Sequence, residues 1–336
     1  MGQRPVSWHG YGMKIGLTLP NRGVLFGAVT ADQMLRLAEL ADASERFHSV
    51  WVGDSLLGKP RLESIALLAA VAGRTRRVRL GTACMASFPL RDPVLLAYQW
   101  ASLDVIAGGR TVLVACTGIV PQAGGRVEGE LYGLQARDRV RRMIEWIQIL
   151  RLLWTGERAS FEGEHYRFRD VTIEPRPAAR PQPPIWIANN AAGDRALIER
   201  THRRVARHAD GWETSLSDPD DLAWRLADVR AKLVEQGRDP SGFETHLYHN
   251  VNINEDEDMA YEESRQFLHR YYGEEFPPDR VRGWCALGSP ERCVEHLLTY
   301  RRLGFTEVAL RITSWDQEAQ FERLAGEVLP ALEAEA

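Results

Sequence analysis

KIGLTLPNRGVLFGAVTADQMLRLAELADASERFHSVWV, residues Lys14–Val52, spells a strand, a helix and a second strand in that order. Lys14–Leu19 is a short apolar run that stops at Pro20. Thr30 and Gln33 have the spacing of a capping box, and Met34, Leu35, Ala38 and Ala41 then recur on one helical face. Ser49–Val52 is the next apolar run. A strand regained through a helix must lie parallel to the one before it, because the crossover brings the chain back in the same direction.

The unit repeats along the chain. Further strands are expected at Val78–Gly81, Thr111–Ala115, Ile185–Ala188, within Val205–Trp212, at Thr245–Asn252 and at Glu307–Ile312. Helical patterns separate them: Leu62–Ala72, Pro93–Ile106, Val140–Leu150, a helix reaching about His202, Asp220–Gln236, and the pair 257–270 and 290–303. A last helix carries Phe321, Leu324, Val328 and Leu329. Eight such units point to a closed (β/α)8 TIM barrel, with an open doubly wound sheet as the competing arrangement. Insertions are expected after strand four (a glycine-bearing loop over 117–136), before strand five (a small hairpin in Ala159–Arg169 and a proline-rich stretch, Pro175–Pro184) and after strand seven (271–287). Residues 1–12 read as a loose leader and 13–336 as one barrel domain.

Composition narrows the function. The 336 residues carry a net charge of −4, which argues against a nucleic-acid binder that relies on a basic surface. No apolar run approaches a membrane span, and the N-terminus lacks the apolar centre of a signal peptide. Cys84, Cys116, Cys285 and Cys293 show no C-x-x-C spacing, so a zinc ribbon or disulfide scaffold is disfavoured and a reducing cytoplasm fits.

In a barrel the chemistry sits just past the strand C-termini. Gly53–Lys59 imitates a phosphate-binding loop, but Pro60 stands where a Ser or Thr hydroxyl should bind magnesium. No G-x-G-x-x-G follows a strand, which disfavours a nicotinamide fold. Asp54 could accept from a ring N–H or a substrate hydroxyl, or simply close an Asx turn. Cys84 and Cys116 could line a pocket or be buried apolar cysteines. Asn189, Asn190, Ala191 and Gly193 link a strand to a helix and could cradle a phosphate, or cap the helix. Gly288–Glu291 reads as plain helix capping, with Ser289 as N-cap. His246 and His249 lie on one strand at a spacing that lets only one face inward; each is a proton donor or a structural histidine. Trp212 could wall a flat ring or pack between helices. Arg311 could bind an anion or pair with a carboxylate.

Taken together, Val50–Asp54, Leu80–Ala83 with Arg91-Asp92-Pro93, Leu103-Asp104 through Arg110, Leu152–Gly156, Phe161-Glu162-Gly163 with Tyr166, Pro183–Ala188, Ala209–Trp212 and Gly288–Glu291 resemble the luciferase-like flavin monooxygenases from Met13 onward. The resemblance implies a barrel that binds reduced FMN or the deazaflavin coenzyme F-420, commonly as a homodimer. It implies a non-proline cis peptide at Ala83–Cys84 under the ring, Cys116 near the ring, and phosphate contacts from Thr117, Gly118 and the Asn189–Gly193 loop. Three departures stand out. Thr117 replaces a phosphate-gripping Arg of luciferase, Asn189-Asn190 replace Glu-Ser, and Ser55 stands where many deazaflavin users carry His.

The function expected from this resemblance is a two-component monooxygenase. Reduced FMN would come from a separate flavin reductase, O2 would be the oxidant, and a small organic molecule the substrate. Asp54, His249 and His246 are the candidate catalytic groups. The alternatives are a deazaflavin-dependent dehydrogenase or reductase that moves a hydride without O2, and a non-catalytic flavin-binding barrel.

Overall fold

Buried on both faces, the strands of a parallel barrel should be apolar throughout, and Ser49–Asp54 is buried at every position. The computed structural model describes residues 12–118 and 123–335. The expected leader therefore lies outside the described residues apart from Gly12, as does 119–122 within the expected glycine-bearing loop.

The strands are β1 (Lys14–Leu19), β2 (Ser49–Asp54), β3 (Arg79–Met85), β4 (Thr111–Ala115), β5 (Ala159–Glu162), β6 (Arg167–Val171), β7 (Ile185–Ala188), β8 (Gly211–Thr214), β9 (Glu244–Ile253), β10 (Cys285–Gly288) and β11 (Glu307–Ile312). Eight of them close a parallel ring in the order β1-β2-β3-β4-β7-β8-β9-β11, with β11 returning to β1. This is a TIM barrel. β5 and β6 form the antiparallel hairpin expected before the fifth barrel strand.

Several boundaries differ from the sequence reading. The helix after β7 runs Arg195–His208, so Val205 is helical and the next strand begins only at Gly211. The helix keeps its apolar spacing through Val205 and Ala206, and nothing stops it before Ala209. Ala123–Leu131 is helical within the segment expected to be a loop. The insertion 271–287 contains the helix Pro278–Trp284 and then β10, fully buried and paired in parallel with the end of β9 outside the ring. Four residues are too short a run for periodicity to reveal. Among the described residues no helix is long and apolar enough to cross a membrane.

Local chemistry explains the element ends. Thr30 and Gln33 form the reciprocal capping box. Asp92 accepts from the Leu95 N–H and Pro93 occupies the first helical position. Ser289 is the N-cap of Pro290–Leu303, as expected, but its hydroxyl donates to Glu291 rather than accepting from the helix.

The barrel interior is filled rather than open. Trp51 of β2 and Trp186 of β7 lie 5.4 Å apart, and the His246 ring packs 4.3 Å from Trp51. Glycine makes room for them. A Cβ on Gly81 would overlap the Trp51 ring, and one on Gly211 would sit 2.5 Å from Trp186. This aromatic layer plugs the barrel below the hollow at its C-terminal rim.

Candidate active site

At that rim the strand ends surround a cavity of about 580 Å³, within the ordinary range for a small-molecule site. Asp54, Cys84, Cys116, Asn189, Glu213 and Tyr248 come from successive barrel strands or the loops just past them, and Lys59, Arg204, Tyr272, Arg280 and Trp284 close the sides.

The β3 side forms the floor. The Ala83–Cys84 peptide is cis, at the position the family resemblance implies. The Gly118 N–H donates to Cys116 Sγ at 3.3 Å. A contact with Cys116, together with burial, pushes the Cys84 thiol well up, so it remains neutral and is no nucleophile.

Asp54 is at the rim, but its oxygens are committed. Oδ1 accepts from Ser64 Oγ at 2.7 Å and from Arg91 Nη2 at 3.1 Å, and Oδ2 accepts from the Ser87 N–H at 2.7 Å. Next to it, Ser55 Oγ accepts from the Lys59 N–H at 2.9 Å. Asn21 holds the same strand end by donating to the Gly53 carbonyl and accepting from its N–H. Asp54 thus braces the loops after β2 and β3.

The loop after β7 is built by its two amides. Asn189 Nδ2 donates to Thr201 Oγ1 at 2.7 Å, and Asn189 Oδ1 accepts from the Ala191 N–H at 3.0 Å. Asn190 Oδ1 accepts from Thr214 Oγ1 and from the Ser215 N–H, which ties the loop to the end of β8. The following helix does not begin here. Its N-cap is Asp194, whose carboxylate accepts from the Leu197 N–H at 2.7 Å, and so occupies the positive end of the helix dipole. Asn189, Asn190 and Ala191 line the cavity, whereas Gly193 does not.

Positive charge enters from residues that the sequence reading did not single out. Arg204 lies further along that helix, beside Thr201 and Val205, and lines the cavity without a carboxylate partner among the described residues. Arg280 donates to Ser217 Oγ and to the Ser215 carbonyl, both neutral, and its guanidinium lies 4.4 Å from the Trp284 ring centre. Burial lowers the pKa of both, the mark of cations that have lost water without gaining a counter-ion. Lys59, the lysine of the false phosphate loop, is buried between Glu274 at 3.1 Å and the Tyr272 ring.

Other candidates lie elsewhere. His249 faces away from the hollow, where its Nε2 meets Nε2 of His296 at 2.9 Å under the helix Pro290–Leu303. Strand alternation is the reason: His246 and Tyr248 of β9 point inward, so His249 points out. Trp212 is outward for the same reason, bonded through Nε1 to the Asn189 carbonyl and packed on Phe305. Arg311 takes neither expected role. It is fully buried, donates to Asn250 Oδ1 at 2.7 Å and Tyr272 Oη at 3.0 Å, and lies over the Tyr271 ring at 4.2 Å. Burial alone would raise the Tyr272 phenol, but Arg311, Tyr248 and Lys59 outweigh it and draw it below the ordinary value.

The sequence model of the luciferase-like monooxygenases matches residues 13–307. The chain belongs to this family. A luciferase-like oxidoreductase barrel is also what its relatives share. The chain is 30% identical to an F420-dependent glucose-6-phosphate dehydrogenase of Nakamurella multipartita, over 89% of this chain and 92% of that protein. It is 24% identical to the oxygenase component of a flavin-dependent trigonelline monooxygenase of Acinetobacter baylyi, over 89% of each. Among solved structures it superposes on the monooxygenase RslO1 of Streptomyces bottropensis with a TM-score of 0.78 and 26% identity, covering 95% of this chain and 99% of that one. The residues present suit the flavin-type cofactors of this luciferase-like family. Ala83, Ala188, Cys116 and the neutral Cys84 thiol form the floor, and Arg204 and Arg280 offer cations that lack a carboxylate partner among the described residues.

Proposed function

We propose that the chain is the oxygenase component of a two-component monooxygenase that takes reduced FMN from a separate flavin reductase and oxygenates a small organic substrate. The observation that carries this reading is the state of the β2 rim. A hydride leaves an alcohol only as a base takes the hydroxyl proton, and at the end of β2 Asp54 already accepts from three donors while Ser55 serves the Lys59 backbone, so neither is placed for that role. Oxygenation has no need of that base.

The bound cofactor supplies the redox chemistry: one atom of O2 enters the substrate, and the other leaves as water with the two hydrogens of the reduced flavin. The chain does the rest. Arg204, Arg280 and the Asn189–Ala191 loop hold the phosphate end by charge-assisted hydrogen bonds. Cys84 and Cys116 carry the ring face, and the neutral Cys84 thiol does not compete for it as a nucleophile. Tyr272, Phe276 and Trp284 form the wall that keeps water from the reacting atoms.

A second reading is supported by the deazaflavin-dependent dehydrogenases at 30% identity, because the arginine pair would suit the phosphate of either cofactor. A partner of the same kind, a second copy of the chain, suits the helix Pro93–Ile106, which is apolar on its outer as well as its inner side. Four unpaired thiols suit a reducing, cytoplasmic setting.

The test is to supply reduced FMN and reduced deazaflavin separately, with and without O2, against a panel of small organic substrates. Oxygenated product with FMN and O2 alone is the expected outcome. Product under strict anaerobiosis would transfer the chain to the second reading.

A further inference from the structure

We propose that Glu213 is the proton donor of this site, a catalytic residue on the barrel floor backed by His246 and Glu307 as positioning residues. The proposal rests on the oxygenase reading above. Its basis is a row of side chains fixed by strand register. Glu213 of β8 is the ladder neighbour of His246 in β9, and His246 is the ladder neighbour of Glu307 in β11. Three adjacent strands therefore present acid, imidazole and acid at one level of the barrel interior. Glu213 Oε2 lies 2.9 Å from His246 Nδ1, and His246 Nε2 lies 3.9 Å from Glu307 Oε1. All three are buried, at 4%, 0% and 1% exposure, and of the three only Glu213 lines the cavity.

The two carboxyls have different surroundings. Burial raises Glu213, with Glu307 adding to it and His246 only partly offsetting it. Burial would raise Glu307 too, but His246, Arg79 and a hydrogen bond from Ser49 hold it below the ordinary value. Arg79 is itself paired with Glu244 at 2.6 Å, and His48 is held near neutrality by burial, so neither reaches Glu213 as a free cation. On the cavity side Glu213 faces the neutral Cys84 thiol. Two carboxyls whose environments drive their affinities apart divide into an acid and a counter-ion. Glu213 is the acid, Glu307 the counter-ion, and His246 stands between them.

The proton balance closes. Glu213 gives its O–H proton to the oxygen atom that leaves as water; of the two hydrogens that reduced FMN would bring, one would complete that water and the other would return to Glu213 over the cycle, by way of His246. No other reductant is required.

Infrared difference spectra of the cofactor-free protein, wild type against Glu213→Gln, read the assignment without turnover. A protonated-carboxyl band is expected at neutral pH in the wild type and in Glu307→Gln, but not in Glu213→Gln. His246→Gln, which leaves the carboxyl in place, should move the pH at which the band disappears. With reduced FMN and O2, Glu213→Gln should lower turnover about a hundredfold and remove one limb of the pH profile, with FMN affinity unchanged within about twofold. An absent band, or turnover and pH profile unaltered by Glu213→Gln, overturns the donor role while the oxygenase reading stands. If Glu213→Gln does not fold, an unmoved band in His246→Gln overturns it instead. Wild-type protein that shows the band but makes no oxygenated product defeats the oxygenase reading and the donor role with it.

Discussion

Single side chains at this rim divide into those that hold the site and those left over for a ligand, and their hydrogen bonds tell them apart. Arg204 is of the second kind. A guanidinium held in a cavity wall without a carboxylate is stabilised when an anion arrives, and one charge-assisted hydrogen bond contributes about 1.5–3 kcal/mol. Arg204→Ala should therefore weaken FMN binding roughly 10- to 100-fold while leaving riboflavin, which has no phosphate, unaffected. Parallel fluorescence titrations of the two ligands check this, and an equal loss for both would remove Arg204 from the phosphate end. Asp54 is of the first kind. Its partners Ser64, Ser87 and Arg91 follow two different strands, and Arg91 keeps Glu63 and the Ser87 hydroxyl when Asp54 is removed. Asp54→Ala should cost about 3 kcal/mol in urea unfolding, the usual scale for breaking a buried ion pair. Unaltered stability with lost activity would instead make Asp54 a participant in the reaction.

At the scale of elements, capping separates residues that look alike in sequence. Thr30 accepts from the Gln33 N–H while Gln33 accepts from the Thr30 N–H. Thr30→Ala should cost about 1 kcal/mol, and Ser289→Ala less than about 0.5 kcal/mol because that hydroxyl only donates to Glu291 at the surface. Thermal melting of the two variants side by side decides it, and equal shifts would refute the distinction. The same elements show what could be read without coordinates. Strands such as Lys14–Leu19 and Glu307–Ile312 were legible to the residue because they are apolar runs bounded by turn-formers. β8 was not, because the helix before it carries its spacing six residues past His202 and leaves a strand of only four residues. That shift hid Glu213: ending the strand at Trp212 put a charged residue in the following loop, when it is an inward-facing strand position. Arg204 and Arg280 were hidden differently. A helical arginine is ordinarily solvated, and only the approach of distant elements shows which ones have lost their water. Asn189 and Cys84 were visible because they lie just past or at strand ends, where the barrel rule points.

The whole molecule titrates as well as folds. Its outward layer exposes Leu95, Tyr98, Val105 and Ile106 along one helix, at 54%, 46%, 45% and 55%. Sedimentation should therefore show a dimer that Leu95→Lys with Tyr98→Glu converts to a monomer, and a monomeric wild type would leave this face without the proposed partner. Its inner layers hold histidines that must stay neutral. Burial lowers His48 to about 4, and His296, against His249, to about 4. The unfolded chain binds those protons near the ordinary value of about 6.5, so the sign is fixed. Stability is complete above pH ~6.5 and is lost as pH falls toward ~4, because the unfolded state takes up protons that the folded state refuses. His48 and His296 should each forfeit about 2 kcal/mol between pH 7 and 5, where most carboxylates remain ionised, and His249, which burial and His296 also hold down, adds to the loss. Urea midpoints at the two pH values measure the sum. His48→Gln should remove about 2 kcal/mol of the difference, since an amide has no proton to gain in this range; a midpoint that holds steady or rises on acidification would mean that these imidazoles are charged in the native barrel and that the layer around them is wetter than its packing indicates.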